Sequence, residues 1–197
     1  MPYELKPLPF DPKRLDGLSE RLILSHYENN YGGAVKRLNA IAAKLAELDF
    51  SSAASFVLNG LKREELIASN SMVLHEIYFD GLGGRGGIPG SRLRERLAKD
   101  FGSLERWQAE FTAMGKALGG GSGWVVLAWS ERRDRLVNQW AADHAHLLAG
   151  GVPVLALDMY EHSYHIDFGA KASEYVEAFM RNVDWERVNA RYVGAAE

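Results

Sequence analysis

The sequence predicts an α+β fold: an N-terminal α-helical hairpin followed by a small three-stranded antiparallel sheet flanked by helices. Three observations predict it. Apolar residues recur at helical spacing from about Ser19 to Phe79. The stretch "GLGGRGGIPG", Gly81 to Gly90, then breaks the pattern, because six glycines and a proline disfavour helix and strand alike. Beyond it, short β-branched and aromatic runs alternate with helical stretches. The break divides the chain into an arm and helical hairpin, residues 1–83, and a C-terminal α/β part, residues 84–197.

The proline-rich opening, "MPYELKPLPFDPKRLDGL", reads as an extended arm. It lacks the continuous apolar core of a signal peptide, so the expected location is the cytoplasm. The first helix is expected over Ser19–Leu48. Leu22, His26, Asn30 and Gly33 fall near one face, and Leu38, Ile41, Leu45 and Leu48 continue an apolar stripe. The pair Gly32-Gly33 is expected to kink or break it. A second helix is expected over Lys62–Phe79, with Leu66, Ile67, Met72, Leu74 and Tyr78 as its apolar positions. After the glycine-rich break, two short helices follow, with Ser91 and Ser103 as expected N-caps. The strands are "GWVVLAW", "RLVNQWAA" and "VPVLALDMY", with Asp134 in the turn between the first two. The end, "AKASEYVEAFMRNVDWERVNARY", is helical again.

Composition narrows the function. A net charge of −3 with both signs mixed along the chain points to neither a nucleic-acid nor a membrane surface, and no apolar run reaches the length of a membrane span. The absence of cysteine excludes disulfides, thiolate metal sites and cysteine nucleophiles.

Chemistry concentrates in "ALDMYEHSYHIDF", Ala156 to Phe168, where charged residues follow an apolar run. Charges in that setting are paired or bind a metal. Asp158 and His162 are four apart and share a face if the chain turns helically there. A hydrogen-bonded pair without a metal is the competing reading. His26 and His75 lie on the inward faces of the two expected helices. With Asp158 and His162 they form a three-histidine, one-carboxylate set that suits iron, manganese or zinc. Spacing does not say whether the four converge.

"LDMYEHSYHIDF" resembles the metal-binding signature of the iron/manganese superoxide dismutases, usually Asp-x-Trp-Glu-His-x-Tyr. The resemblance extends in order through "YELKPLPFDPKRLDGLSERLILSHYENNYGGAVKRLN", "NSMVLHEIYFDGL", "GGGSGWVVLAW" and "VDWERVNARY". It implies the same fold and one Fe or Mn ion per chain, held by His26, His75, Asp158 and His162 with solvent in a fifth position. It implies conversion of superoxide to oxygen and hydrogen peroxide, and a homodimer or tetramer.

The chain departs from the family along the substrate passage. Asn30 and Ala34 stand where a histidine and a tyrosine are usual, with Gly33 beside them, and Tyr160 and Phe79 stand where tryptophan is usual. Ser71 occupies a position that carries a glutamine in one variant. In "AADHAH", His144 resembles the residue that contacts the bound solvent, with His146 as the second candidate. Trp124 is expected in the pocket wall and Glu161 at a dimer interface; Lys171 sits near where many members carry a cation at the funnel mouth, with a solvated surface lysine as the favoured reading. A related protein of altered activity, in peroxide or small-molecule oxidation, and a non-catalytic metal-binding homologue are the alternative readings.

Overall fold

The structure, a computed structural model, describes residues 2–197. Ser19 starts the helical hairpin: its hydroxyl accepts from the Leu22 amide at 3.1 Å, satisfying a donor that the first turn leaves free. Helix α1 (Glu20–Ser25) runs into a π-helical segment, His26–Tyr31, and then into α2 (Gly32–Ala46). The expected break at Gly32-Gly33 is not there. Gly32 is helical at φ −60°, and the irregular turn lies just before it, starting at His26.

Helix α3 (Ser55–Asp80) returns antiparallel to α2. It starts seven residues before the expected Lys62, because exposed Phe56 and Val57 and the flexible Gly60 obscure the apolar stripe there. Leu66, expected among the inward positions, is half exposed, whereas Met72, Leu74 and Tyr78 are buried.

The glycine-rich segment is irregular, as expected, apart from one bridge between Leu82 and Val183. Gly84 is required by that close approach: a Cβ there would lie 2.3 Å from the Val183 carbonyl oxygen. Helix α4 (Ser91–Phe101) is capped at Gly90, not at the expected Ser91, which is already helical and makes no capping bond. The Leu93 amide is satisfied instead by Asn189 Oδ1 at 3.1 Å. Ser103 does cap α5 (Leu104–Ala117), accepting from the Arg106 amide at 3.1 Å.

The sheet has strands β1 (Trp124–Ser130), β2 (Arg135–Ala141) and β3 (Gly151–Asp158), in the order β2-β1-β3 with antiparallel pairing. Asp134 makes the first turn in the left-handed region, φ 42°, as turn chemistry allows for Asp. Every residue of β1 is buried, because the strand is central and helices cover the sheet. The register pairs Trp124 with Asp158. The polar end of β3 is thereby locked to the buried start of β1. After β3 come a short turn of helix α6 (His165–Phe168), then α7 (Ala172–Arg181) and α8 (Trp185–Ala196). The helical end divides into two helices, because Val183 leaves the helix to bridge Leu82 and Asp184 then caps α8 at the Arg187 amide.

Candidate metal centre

Four side chains from three parts of the fold meet between the hairpin and the sheet. His26 opens the π-helical segment, His75 projects from the last turns of α3, Asp158 ends β3, and His162 sits in the turn that follows. His26, His75 and Asp158 are buried and His162 is partly exposed. One ligand atom from each lies within 4.8 Å of all the others.

The geometry centres on Asp158 Oδ2. The Nε2 atoms of His26 and His162 each lie 3.1 Å from it, and His75 Nε2 lies at 3.5 Å. Atoms held about 2.1 Å from one shared ion at angles of about 90–120° stand about 3.0–3.6 Å apart. The other carboxylate oxygen, Oδ1, accepts from the Tyr160 amide at 2.8 Å, which fixes the direction of Oδ2. Ser163 Oγ donates to the Asp158 and Tyr160 carbonyls and ties down the turn that carries His162.

Proton positions separate a metal centre from a hydrogen-bonded cluster. His75 Nδ1 lies 2.7 Å from the Ser71 carbonyl, which accepts only, so Nδ1 carries a proton. Burial, with the nearby His26, pushes the His75 pKa down to about 3, so the ring is neutral near pH 7 and Nε2 is a bare lone pair. That lone pair is buried, has no hydrogen-bond partner, and faces a carboxylate oxygen. Two acceptors held in this way call for a cation between them. Burial likewise pushes His26 below the ordinary imidazole range. Burial alone would raise the Asp158 pKa, but His162 and the hydrogen bonds from His162 and His26 hold it well below the ordinary carboxylate range. Neutral His26 and His75 beside an ionised Asp158 are in the protonation states that metal ligation needs.

The chain's own relatives agree with this chemistry. The sequence profile of the iron/manganese superoxide dismutases, C-terminal domain, matches residues 89–191. The chain belongs to the iron/manganese superoxide dismutase family. It is 69% identical over 195 residues to an iron superoxide dismutase of Cupriavidus metallidurans, covering 99% of this chain and 98% of that one. It is 36% identical over 204 residues to a manganese superoxide dismutase of Haloferax volcanii, covering 100% and 98% of the two chains. An iron superoxide dismutase of Aquifex pyrophilus is 34% identical over 189 residues, covering 92% of this chain and 87% of that one.

The family's wall residues can now be located. A cavity of about 330 Å³ leads to the site, and Asn30, Gly33, Ala34, Ser71, His75, His144 and His162 line it. Asn30, Gly33 and Ala34 thus share one cavity with His75 and His162. Arg37, one turn further along α2, lines the same cavity and is the residue that sequence reasoning missed. It is the one Lys or Arg among the lining residues, and it faces Glu64 at 3.7 Å. Lys171 is not on this cavity; it is exposed and pairs with Glu174 at 3.1 Å.

Of the two loop histidines, His144 lines the cavity, whereas His146 is exposed and bonded to Asp143 at 2.8 Å. Tyr160 stacks on His162 with ring centroids 5.3 Å apart, Phe79 packs 5.0 Å from His26, and Trp124 meets His75 edge-on at 5.2 Å. Glu161 is exposed at the start of the turn carrying His162. Among the described residues, no helix is long and apolar enough to cross a membrane.

Proposed function

We propose that the chain is a superoxide dismutase that holds one iron ion on His26, His75, Asp158 and His162. The observation that carries the reading is the buried, unpartnered lone pair of His75 Nε2, 3.5 Å from Asp158 Oδ2. When bound, a redox-active metal would supply the electron steps, oxidising one superoxide to oxygen and reducing the next to hydrogen peroxide with two protons. Zinc fits the ligands but has no redox chemistry to offer.

The chain's residues do the rest. Arg37 draws the anion to the mouth of the cavity. Asn30, Gly33 and Ala34 leave the way open, because none is bulky. His144 lines the cavity and Tyr160, hydrogen-bonded to it, stands behind it. Iron rather than manganese is supported by the iron superoxide dismutase that shares 69% of its residues, while the manganese relatives at 36% carry less weight.

A homodimer belongs to the same proposal. The exposed Glu161 adjoins His162 in sequence, so a two-fold contact there would brace both copies of the turn. We place the protein in the cytoplasm. The wide passage favours, as a second reading, peroxide-driven oxidation of a small molecule.

Elemental analysis of protein purified without added metal, together with a superoxide assay, tests the proposal. The expected result is about one iron per chain and fast dismutation. Bound iron without dismutation would favour the second reading, and a peroxidase assay would then decide it. Light scattering should give twice the chain mass, falling towards the chain mass in Glu161→Ala.

A further inference from the structure

A cavity-lining histidine makes a hydrogen bond to Tyr160 that neither ligation nor packing requires. Tyr160 Oη lies 3.2 Å from His144 Nδ1, and the two rings stack with centroids 5.0 Å apart. We propose that Tyr160 is a positioning residue: its hydroxyl donates to His144 Nδ1 and so fixes the His144 proton on the buried Nε2, on a ring packed beside the candidate ligand His75. The inference rests on reading His26, His75, Asp158 and His162 as the metal centre.

The direction of the bond follows from the two partners. A phenol O–H is a better donor than its oxygen is an acceptor, and an unprotonated imidazole nitrogen is a good acceptor. A neutral imidazole has one N–H, so a Nδ1 that accepts leaves the proton on Nε2. His144 Nε2 is buried and has no partner among the described residues. Its ring lies 6.2 Å from that of His75 and 5.7 Å from that of Trp124, on the wall of the same cavity. A buried N–H with nothing to donate to is unfavourable, so this proton needs an acceptor. The opposite tautomer would leave a bare lone pair at that buried position and no proton to donate.

Both partners are held to the frame of the site. Asn70 Nδ2 donates to the His144 carbonyl at 2.5 Å. The Tyr160 amide donates to Asp158 Oδ1 at 2.8 Å, and its carbonyl accepts from Ser163 Oγ at 2.7 Å. The hydroxyl of Tyr160 is thus placed by the same carboxylate that sits among the histidines. Tryptophan, usual at this position in the family, offers an N–H from a differently shaped ring; in this chain the donor is an O–H.

The test is nitrogen NMR on the full chain, labelled with ¹⁵N-histidine and loaded with zinc as a diamagnetic stand-in. The wild-type spectrum should show His144 with a bare, hydrogen-bonded Nδ1 and a protonated Nε2. Tyr160→Phe should shift the Nδ1 resonance towards that of a free bare nitrogen and mix in the other tautomer. A proton on Nδ1 in the wild type overturns the proposal without recourse to any variant. An unchanged Nδ1 resonance in Tyr160→Phe overturns it as well. Neither readout depends on dismutation, so a protein without that activity would refute the proposed function and leave this bond standing.

Discussion

His75 Nδ1 donates to the carbonyl of Ser71, one helical turn earlier, at 2.7 Å, while the Ser71 hydroxyl lies farther off at 3.4 Å. The ring is therefore aimed by the backbone of α3 and not by the serine side chain. Ser71→Ala should keep metal content within about twofold of the wild type, since the hydroxyl adds at most a weak bond. Elemental analysis of the purified variant checks this. Loss of most of the metal would show that the hydroxyl aims the ring.

Asp158 is the one carboxylate among three imidazoles. Asp158→Asn keeps the shape and removes the charge. Metal affinity should fall by more than the ~10–100-fold that loss of a supporting hydrogen bond costs, because a ligand itself is changed. Circular dichroism should stay near that of the wild type, because the substitution leaves in place the main-chain carbonyl that Ser163 bonds. Titration with a competing chelator measures the loss.

Acid should destabilise the metal-free protein. In the folded state burial holds His75 near pKa 3 and also lowers His26, whereas unfolded histidines titrate near 6.5. Between those values the unfolded chain binds more protons, so stability rises with pH and is lost as pH falls from about 6.5 towards 3. Each such histidine contributes at most about 1.4 kcal/mol per pH unit. The lowered pKa of Asp158 has the same sign and extends the loss below the ordinary carboxylate range. Urea melts of metal-free protein across this range should show the midpoint falling steadily; a flat profile would contradict these shifts.

Ala34 is nearly buried on the wall of the 330 Å³ cavity. Ala34→Tyr should narrow the cavity and add a hydroxyl donor. Azide binding should weaken roughly tenfold, or ~1.4 kcal/mol. The proton-requiring half-reaction should speed up. Spectroscopic azide titration and pulse radiolysis read the two effects separately.

Arg37 is well exposed at the same cavity. Arg37→Glu reverses the charge met by an incoming anion. The association rate should fall about tenfold at low ionic strength and by less at high salt, as screening requires. A rate that falls equally at all salt concentrations would mean that Arg37 acts through structure and not through its field.

Much of this was readable from residue order. The strand signals were strong because β1 is wholly buried and reads as an unbroken apolar and aromatic run. The Asp134 turn followed from local chemistry, and His26, His75, Asp158 and His162 do come together, as the resemblance implied. Other features had no local signal. A π-helical segment has no distinctive spacing, so His26–Tyr31 read as ordinary helix and the visible glycines drew attention instead. Arg37 could be tied to the site only once the cavity was known, because an exposed arginine on a helix reads as solvated. The Tyr160–His144 bond joins residues sixteen apart through a loop without periodicity. Residue order singled out His144 as a candidate solvent partner and Tyr160 as a departure from the family, but had no means to pair them.

The π-helical segment limits how this protein can vary. It holds one more residue than an α-helical turn would need, starts at His26 and includes Asn30. Deleting any one of residues 27 to 31 would let the helix relax to α geometry. His26 would then turn by about 100° relative to α2, away from Asp158. Inserting a residue would do the same in the other direction. Side chains along this stretch are freer to differ than its length, because the length sets the aim of His26 at Asp158. Among relatives, gaps in aligned sequences should be absent between His26 and Ala34 even where the residues themselves differ.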